Sequence, residues 1–187
     1  MMLVAENSTS LRPEQQPSSS EEAALWVVLA DVMDPEVPAL SVLDLGIVRS
    51  VRVSVPRTDG IGGVVEIDVT PTYTGCPATA LINEIITAAS VSAGFADTKI
   101  NFVLSPAWTT DWISVEAREK LRAYGIAPPS GDAPTGKAAL FGVSPIVACP
   151  QCGSKNTERV SEFGATACKA MYRCISCLEP FEYFKCI

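Results

Sequence analysis

The 187-residue chain, 48% apolar, is long enough for one ordinary domain and a second, smaller one. It holds no histidine, which excludes Cys–His nucleophilic pairs and the Glu-x-x-His motif of di-iron oxygenases. Its net charge of −7 leaves no excess of cations for a nucleic-acid backbone, and no run approaches the ~18–20 apolar residues needed to cross a bilayer.

The first segment, residues 1–19, is rich in Ser, Pro, Gln and Glu. It cannot bury enough apolar surface to offset ordering entropy, so a disordered tail is expected there. Residues 1–14 have neither a basic n-region nor an apolar h-region, and the expectation is a cytoplasmic protein without a signal peptide. Ser18 and Ser19 each stand three residues before a glutamate, which is the pattern of a capping box. A helix follows, with Leu25, Val28, Leu29 and Val32 on one face, ending by Asp34-Pro35.

Residues 47–55 and 64–70 alternate apolar and polar groups, with Asp59-Gly60-Ile61-Gly62-Gly63 between them, and read as a hairpin. The loop Thr70–Cys76 leads to Pro77, which suits a first helical turn. The helix predicted after it carries Leu81, Ile82, Ile85, Ile86 and Ala89 as its apolar stripe. Residues 99–104 form a third strand. Ser114 then caps a last helix over 115–123, stopped by Gly125.

The resulting αββαβα order predicts a small layered α+β domain over 20–126. Pro- and Gly-rich residues 127–144 read as a linker. Residues 145–187 read as a small β module of the zinc-ribbon kind, with strands near 156–163, 167–173 and 181–185.

That module owes its assignment to Cys149-Pro-Gln-Cys152 and Cys174-Ile-Ser-Cys177, two pairs separated by 21 residues. Two tight turns, each carrying two thiolates, converge four sulfurs on one metal. Zinc is the first candidate. Iron, in rubredoxin-like or iron–sulfur form, is the rival, because the same ligands serve both. Seven cysteines, an odd number, cannot all pair as intrachain disulfides, which also favours metal or thiol chemistry. From Cys149 onward five basic residues face four acidic ones, too few cations for a nucleic-acid stripe, so a protein partner is the better expectation. Cys168 and Cys186 read as small core residues, with spare ligands or a redox pair as alternatives.

Cys76 stands apart. At a predicted helix N-terminus, unpaired N–H groups and the helix dipole favour a thiolate. The equal alternative is a small buried residue in a turn. Asp34-Pro35-Glu36 and Asp44-Leu45-Gly46 are acidic turns that could bind a metal or orient a partner, although Asp before Pro or Gly more often simply builds the turn. Trp108, Trp112 and Tyr124 read as core and interface.

Three separated stretches, Asp34–Pro38, Ser41–Val48 and Thr72–Pro77, together resemble the iron–sulfur assembly domain family, which includes SufT-type proteins and eukaryotic cytosolic iron–sulfur targeting factors. The resemblance spans residues 22–125. It implies functional positions at Asp44, Thr72 and Cys76, with Asp34 and Glu36 as weaker candidates, and a transient iron or iron–sulfur cargo at Cys76. The runs Phe163–Cys174 and Glu179–Cys186 narrow the likeness to the D-subunit family of the bacterial phenylacetyl-CoA epoxidase complex, whose pattern includes Cys168 and Cys186. This implies an accessory role, without catalysis of its own, in aerobic phenylacetate degradation. It also implies maturation of a metal centre and, as partners, the oxygenase and [2Fe–2S] reductase subunits, with self-association left open. A scaffold that only docks the complex is the alternative, and a thiol redox enzyme using Cys168 or Cys186 with Cys76 is a third.

Overall fold

The computed structural model describes residues 15–54, 64–73, 75–95, 97–129 and 145–186. The chain divides into two units, Met1–Trp108 and Thr109–Ile187. The first contains α1 (Ser20–Ala30), β1 (Val48–Val53), β2 (Val64–Val69), α2 (Thr79–Ser92) and β3 (Asp97–Phe102).

The capping box forms at the start of α1. Ser19 Oγ accepts the Glu22 N–H at 3.1 Å, and the Glu22 carboxylate accepts the Ser18 N–H at 2.6 Å. Part of the expected disordered tail is ordered here, because Gln15 is buried and its Nε2 donates to Val48 O at 2.7 Å. The rest, residues 1–14, lies outside the described residues. The expected glycine-rich turn 59–63 does too, but β1 and β2 pair antiparallel as predicted, with Val53 opposite Val65. β2 and β3 are parallel, with Ile67 opposite Ile100, and α2 is the crossover between them.

One face of the three-stranded sheet is apolar. Val51, Val65, Ile67 and Val69 are buried in the same layer as Leu25 and Leu29 of α1 and Ile86 of α2. Each such side chain, fully buried, contributes about 1.5–3 kcal/mol. The apolar stripe of α2 differs from the one expected. Ile82, Ile86 and Ser90 are its buried residues, whereas Leu81 is 46% exposed. The stripe runs at i, i+4, i+8, and it admits a serine because Ser90 Oγ donates to Ile86 O at 2.9 Å.

The opposite face of the sheet is polar and centred on Asp68. Its carboxylate accepts from Arg52 Nη1 and Nη2 at 2.9 and 3.0 Å, from Ser50 Oγ at 2.9 Å and from Asn101 Nδ2 at 3.2 Å. The Arg52 guanidinium, aided by Ser50 and Asn101, holds this carboxyl below the usual aspartate value. Its contribution is therefore complete above the unfolded-state value of ~3.9 and disappears as pH falls through the lower folded value. Asp68→Asn is expected to cost the first unit about 1 kcal/mol at neutral pH. In denaturant titrations the gap between wild type and variant should close in strong acid. A gap unchanged by pH would contradict this account.

The second unit contains a short 3-10 turn (Thr110–Trp112), α3 (Val115–Tyr124), β4 (Ile126–Ala127), β5 (Thr157–Ser161), β6 (Lys169–Cys174) and β7 (Pro180–Phe184). α3 has the expected caps: Ser114 Oγ accepts the Ala117 N–H, and Gly125 takes the left-handed φ of 94° that glycine adopts without penalty. α3, expected as the last element of the first domain, falls in the second unit. The reason is β4, a two-residue strand that straddles the expected boundary between domain and linker and pairs parallel to β7. The sheet order is β4-β7-β6-β5, with the three predicted ribbon strands antiparallel to one another. Residues 130–144 of the linker lie outside the described residues.

One face of this sheet carries an apolar cluster of Ala127, Val147, Cys149, Ala170, Tyr172, Cys174, Phe181 and Tyr183. The other carries an ion pair, Lys169 Nζ to Glu182 Oε2 at 2.7 Å, with Lys169 only 4% exposed. The second Glu182 oxygen accepts the Ala165 N–H at 2.8 Å, so the buried charges are matched and hydrogen-bonded.

Candidate functional site

The two CxxC turns sit at the loop ends of β5–β7. In the first, Cys149 N–H donates to Ser154 O and Gly153 N–H donates back to Cys149 O, both at 2.9 Å. In the second, Cys174 closes β6, its N–H donates to Glu179 O at 2.9 Å, and Cys177 N–H points at Cys174 Sγ from 3.5 Å. The turns are tied to each other by Ile175 N–H to Asn156 O at 2.9 Å and by the Ser154 and Ser176 hydroxyls, 2.8 Å apart. All four sulfurs lie within 4.8 Å of one another, with Cys149–Cys177 at 3.7 Å and Cys152–Cys174 at 3.6 Å. A tetrahedron with metal–sulfur bonds of ~2.3 Å has edges of ~3.8 Å, so the donor set fits a four-thiolate metal site.

The proton affinities of these thiols are split. The Cys177 N–H, and then that of Ser176, favour a thiolate at Cys174 and lower its pKa. At Cys177 the Glu179 N–H lowers the pKa, but burial and the neighbouring thiols of Cys152, Cys174 and Cys149 outweigh it and the net shift is upward. Four close sulfurs cannot all ionise without a cation between them. Among the described residues this is the group of three or more Cys, Asp or Glu side chains placed to hold a metal.

The residue after each pair takes a left-handed conformation: Gly153 at φ 73° and Leu178 at φ 66°. The turn demands it of both, and only glycine meets the demand without strain. Leu178→Gly is therefore expected to raise the stability of the second unit by about 1 kcal/mol, read as a higher denaturant midpoint at unchanged slope. Since Leu178 is 70% exposed, little packing is lost, and a destabilised variant would refute the strain argument.

Cys168 and Cys186 stand outside the four-sulfur group. Cys168 is buried with its sulfur 3.0 Å from Thr166 Oγ1, and Cys186 packs against the apolar cluster, 3.3 Å from Tyr183 Oη. Both placements agree with the core reading.

In the first unit, pairing decides which candidates meet. Val48, at the start of β1, lies opposite Val69, at the end of β2, and Thr70 N–H donates to Ile47 O at 2.8 Å. The Asp44 turn before β1 and the Thr72–Cys76 loop after β2 therefore emerge at one end of the sheet. The segment after β3 joins them: Thr70 Oγ1 donates to Val103 O at 2.8 Å and Trp108 Nε1 to Leu45 O at 2.9 Å. Thr70 was not singled out by the sequence, and Trp108 only as core or interface. A buried threonine and a buried tryptophan each need a partner for their polar atom, and only the fold says which.

The acidic residues are engaged locally. Asp34 Oδ1 accepts the N–H groups of Glu36 and Val37, each at 2.8 Å. Asp44, 1% exposed, accepts the Ser41 N–H at 2.9 Å while its own N–H donates to Ser41 Oγ at 3.1 Å. Both build turns, and Met33 bridged to Ser41 brings the turns side by side.

Cys76 is half-buried and lies two residues ahead of Ala78, the N-cap of α2. Its carbonyl accepts the Thr79 N–H at 3.2 Å, closing a turn with Pro77 at the second position. Proline pre-sets that position of a turn, and the helix starts two residues later, at Thr79. Thr72 lies in the same loop, also half-buried.

Residues 22–102 match the iron–sulfur cluster assembly protein family, and residues 133–185 match the PaaD zinc beta ribbon domain. A protein of Escherichia coli (strain K12) described as a candidate D-subunit of 1,2-phenylacetyl-CoA epoxidase is 48% identical over 163 residues, which cover 87% of this chain and 92% of that one. The Fe-S protein maturation auxiliary factor SufT of Staphylococcus aureus (strain USA300) is 34% identical over 88 residues, 46% of this chain and 92% of that one. A crystal structure of a domain of unknown function, DUF59, from Bacillus anthracis is 24% identical, with a TM-score of 0.47, and covers 54% of this chain and 91% of that one. With an assembly-type first unit and a four-cysteine ribbon joined in one sequence, the chain belongs to the D-subunit family of phenylacetyl-CoA epoxidases.

Proposed function

We propose that the chain is an accessory maturation factor for a multicomponent phenylacetyl-CoA epoxidase, helping to assemble or insert an iron–sulfur or di-iron centre in an oxygenase or reductase subunit. Cys76 is the working thiol, holding iron or a cluster as cargo. Thr72 and Asp44 flank it, and Asp34 and Glu36 support the acidic turn. The ribbon, with structural zinc on Cys149, Cys152, Cys174 and Cys177, docks the client. In function, residues 20–126 serve as the assembly part, 127–144 as the connection and 145–187 as the docking module of a cytoplasmic protein, although α3 and β4 fold with the second unit.

The observation that carries this reading is the convergence at one end of the first sheet. The half-buried Cys76 loop and the Asp44 turn leave adjacent strands side by side, stitched by Thr70 and Trp108. A thiol and a carboxylate on two well-anchored loops pair one soft and one hard ligand, a set that suits transient binding of a borderline ion such as iron. The maturation function of the SufT relative agrees with it.

A scaffold that only docks subunits is the second reading, favoured by the local hydrogen bonds that occupy Asp34 and Asp44. Cys76→Ala separates the two. In a strain lacking the chain, the variant should fail to restore epoxidase activity and reductase cluster content, while still folding and co-purifying with the complex. Full restoration by Cys76→Ala removes the thiol role and leaves the scaffold.

A further inference from the structure

The four sulfurs of the ribbon are embedded unequally. Cys149 and Cys174 are 2% and 0% exposed and belong to the apolar cluster with Val147, Tyr172 and Phe181. Cys152 and Cys177 are exposed. The buried pair is also pinned through the backbone, Cys149 by Ser154 and Cys174 by its place in β6. A metal on these four ligands is thus anchored from below by two sulfurs and closed from above by two that face solvent. The two exposed arms differ in turn. Cys152 is followed by Gly153, at ease at φ 73°, and Cys177 by Leu178, strained at φ 66°.

From this asymmetry we propose that the ribbon exchanges its metal by ligand substitution at the exposed edge, with Cys177 the first ligand to leave, so that the site can hand a divalent ion to a dithiol-bearing acceptor. An incoming thiol would approach a metal held by these residues from the solvent side, where Cys152 and Cys177 are exposed. On binding, the thiol gives up its proton and the departing Cys177 sulfur takes one up. No electrons move, and the metal keeps its charge. Release of Cys177 lets Leu178 leave its strained conformation, which favours this arm over the glycine-backed one. Cys152 leaves as the acceptor supplies its second sulfur, and Cys149 and Cys174 leave last; each departing sulfur takes up a proton, two in all from the dithiol and two from solvent. The proposal does not depend on the role given to Cys76.

The test uses the full chain loaded with zinc, a small dithiol as acceptor and a chromogenic chelator to read the released ion. Direct exchange predicts an initial release rate that rises in proportion to dithiol concentration, with loss of β6 and β7 amide protection following the departure of the metal rather than preceding it. Brief treatment of the loaded protein with iodoacetamide should label Cys177 first, then Cys152, and last Cys149 and Cys174. Leu178→Gly should slow the release severalfold. A rate independent of dithiol concentration, or loss of β6 and β7 protection ahead of any release, overturns the proposal, as does simultaneous labelling of all four sulfurs. An unchanged rate in Leu178→Gly overturns the order in which the ligands leave.

Discussion

Cys174→Ser is expected to strip the metal from the protein and unfold the β4–β7 sheet, while the β1–β3 sheet keeps its structure. Cys174 is fully buried, ends β6 and contributes a sulfur 3.6 Å from that of Cys152. Serine is a poor ligand for zinc, and its hydroxyl would be left in the apolar cluster beside Tyr172 and Phe181. The second unit depends on the metal because its apolar cluster is small, and metal affinity in such a module is folding free energy, on the order of 10 kcal/mol in isolated zinc-binding peptides. Elemental analysis should fall from one metal per chain towards none. Hydrogen exchange should rise to the unprotected rate for the amides of the β4–β7 sheet, β6 and β7 above all, and stay unchanged in β2. Loss of protection in β2 as well would mean that the first unit also relies on the metal. Retained metal and protection would show that the ribbon core stands without its fourth sulfur.

Trp108→Ala is the largest effect expected in the first unit, a loss of about 3–5 kcal/mol. Trp108 is 4% exposed and sits at the end of the segment that follows β3, where its indole N–H reaches Leu45 O across 63 residues of sequence. The substitution removes the largest side chain of that region and leaves a buried carbonyl without this donor in the turn that carries Asp44. Trp108→Phe keeps most of the volume and loses the hydrogen bond, for an expected cost of about 1–3 kcal/mol. Denaturant unfolding followed by the amide protection of β2 measures both. If the two variants cost the same, the hydrogen bond rather than the packing holds this end of the sheet. If neither costs more than about 1 kcal/mol, Trp108 is not the clamp described above.

The elements that local chemistry specifies were legible. Ser19 and Ser114 cap their helices through their own side-chain oxygens, and Gly125 ends α3 because it alone tolerates a φ of 94° at no cost. The three ribbon strands were readable for a related reason: alternation and turn residues are properties of a few neighbouring positions. β4 was not. Two residues, Ile126 and Ala127, hold no period, and they form a strand only because β7 offers an edge with Ile126 opposite Glu182. The apolar stripe of α2 was only half legible for the same kind of reason: Ile82 and Ile86 are buried as expected, Leu81 is not, and Ser90 takes a place in the stripe. Its sequence is apolar over so wide an arc that the sheet beneath decides which side turns inward, and it chose Ile82, Ile86 and Ser90.

The candidate sites divide along the same line. Two CxxC pairs determine by themselves that four sulfurs converge, since each pair closes a tight turn and a single metal then satisfies both. Cys76, Thr72 and Asp44 could be named from the sequence through a family likeness, but not placed. Thr72 and Cys76 share a loop, and what joins that loop to the Asp44 turn is the antiparallel pairing of β1 with β2, together with Thr70 and Trp108 reaching to Val103 and Leu45. Such contacts join residues tens of positions apart, and no local pattern encodes them. The sequence by itself thus determined the ribbon, the helix caps and the family. The tertiary structure alone decided which loops share an end of the first sheet, and that two of the four cysteines are buried while two face solvent. Burial and long-range pairing are set by how the elements pack, not by the residues on either side.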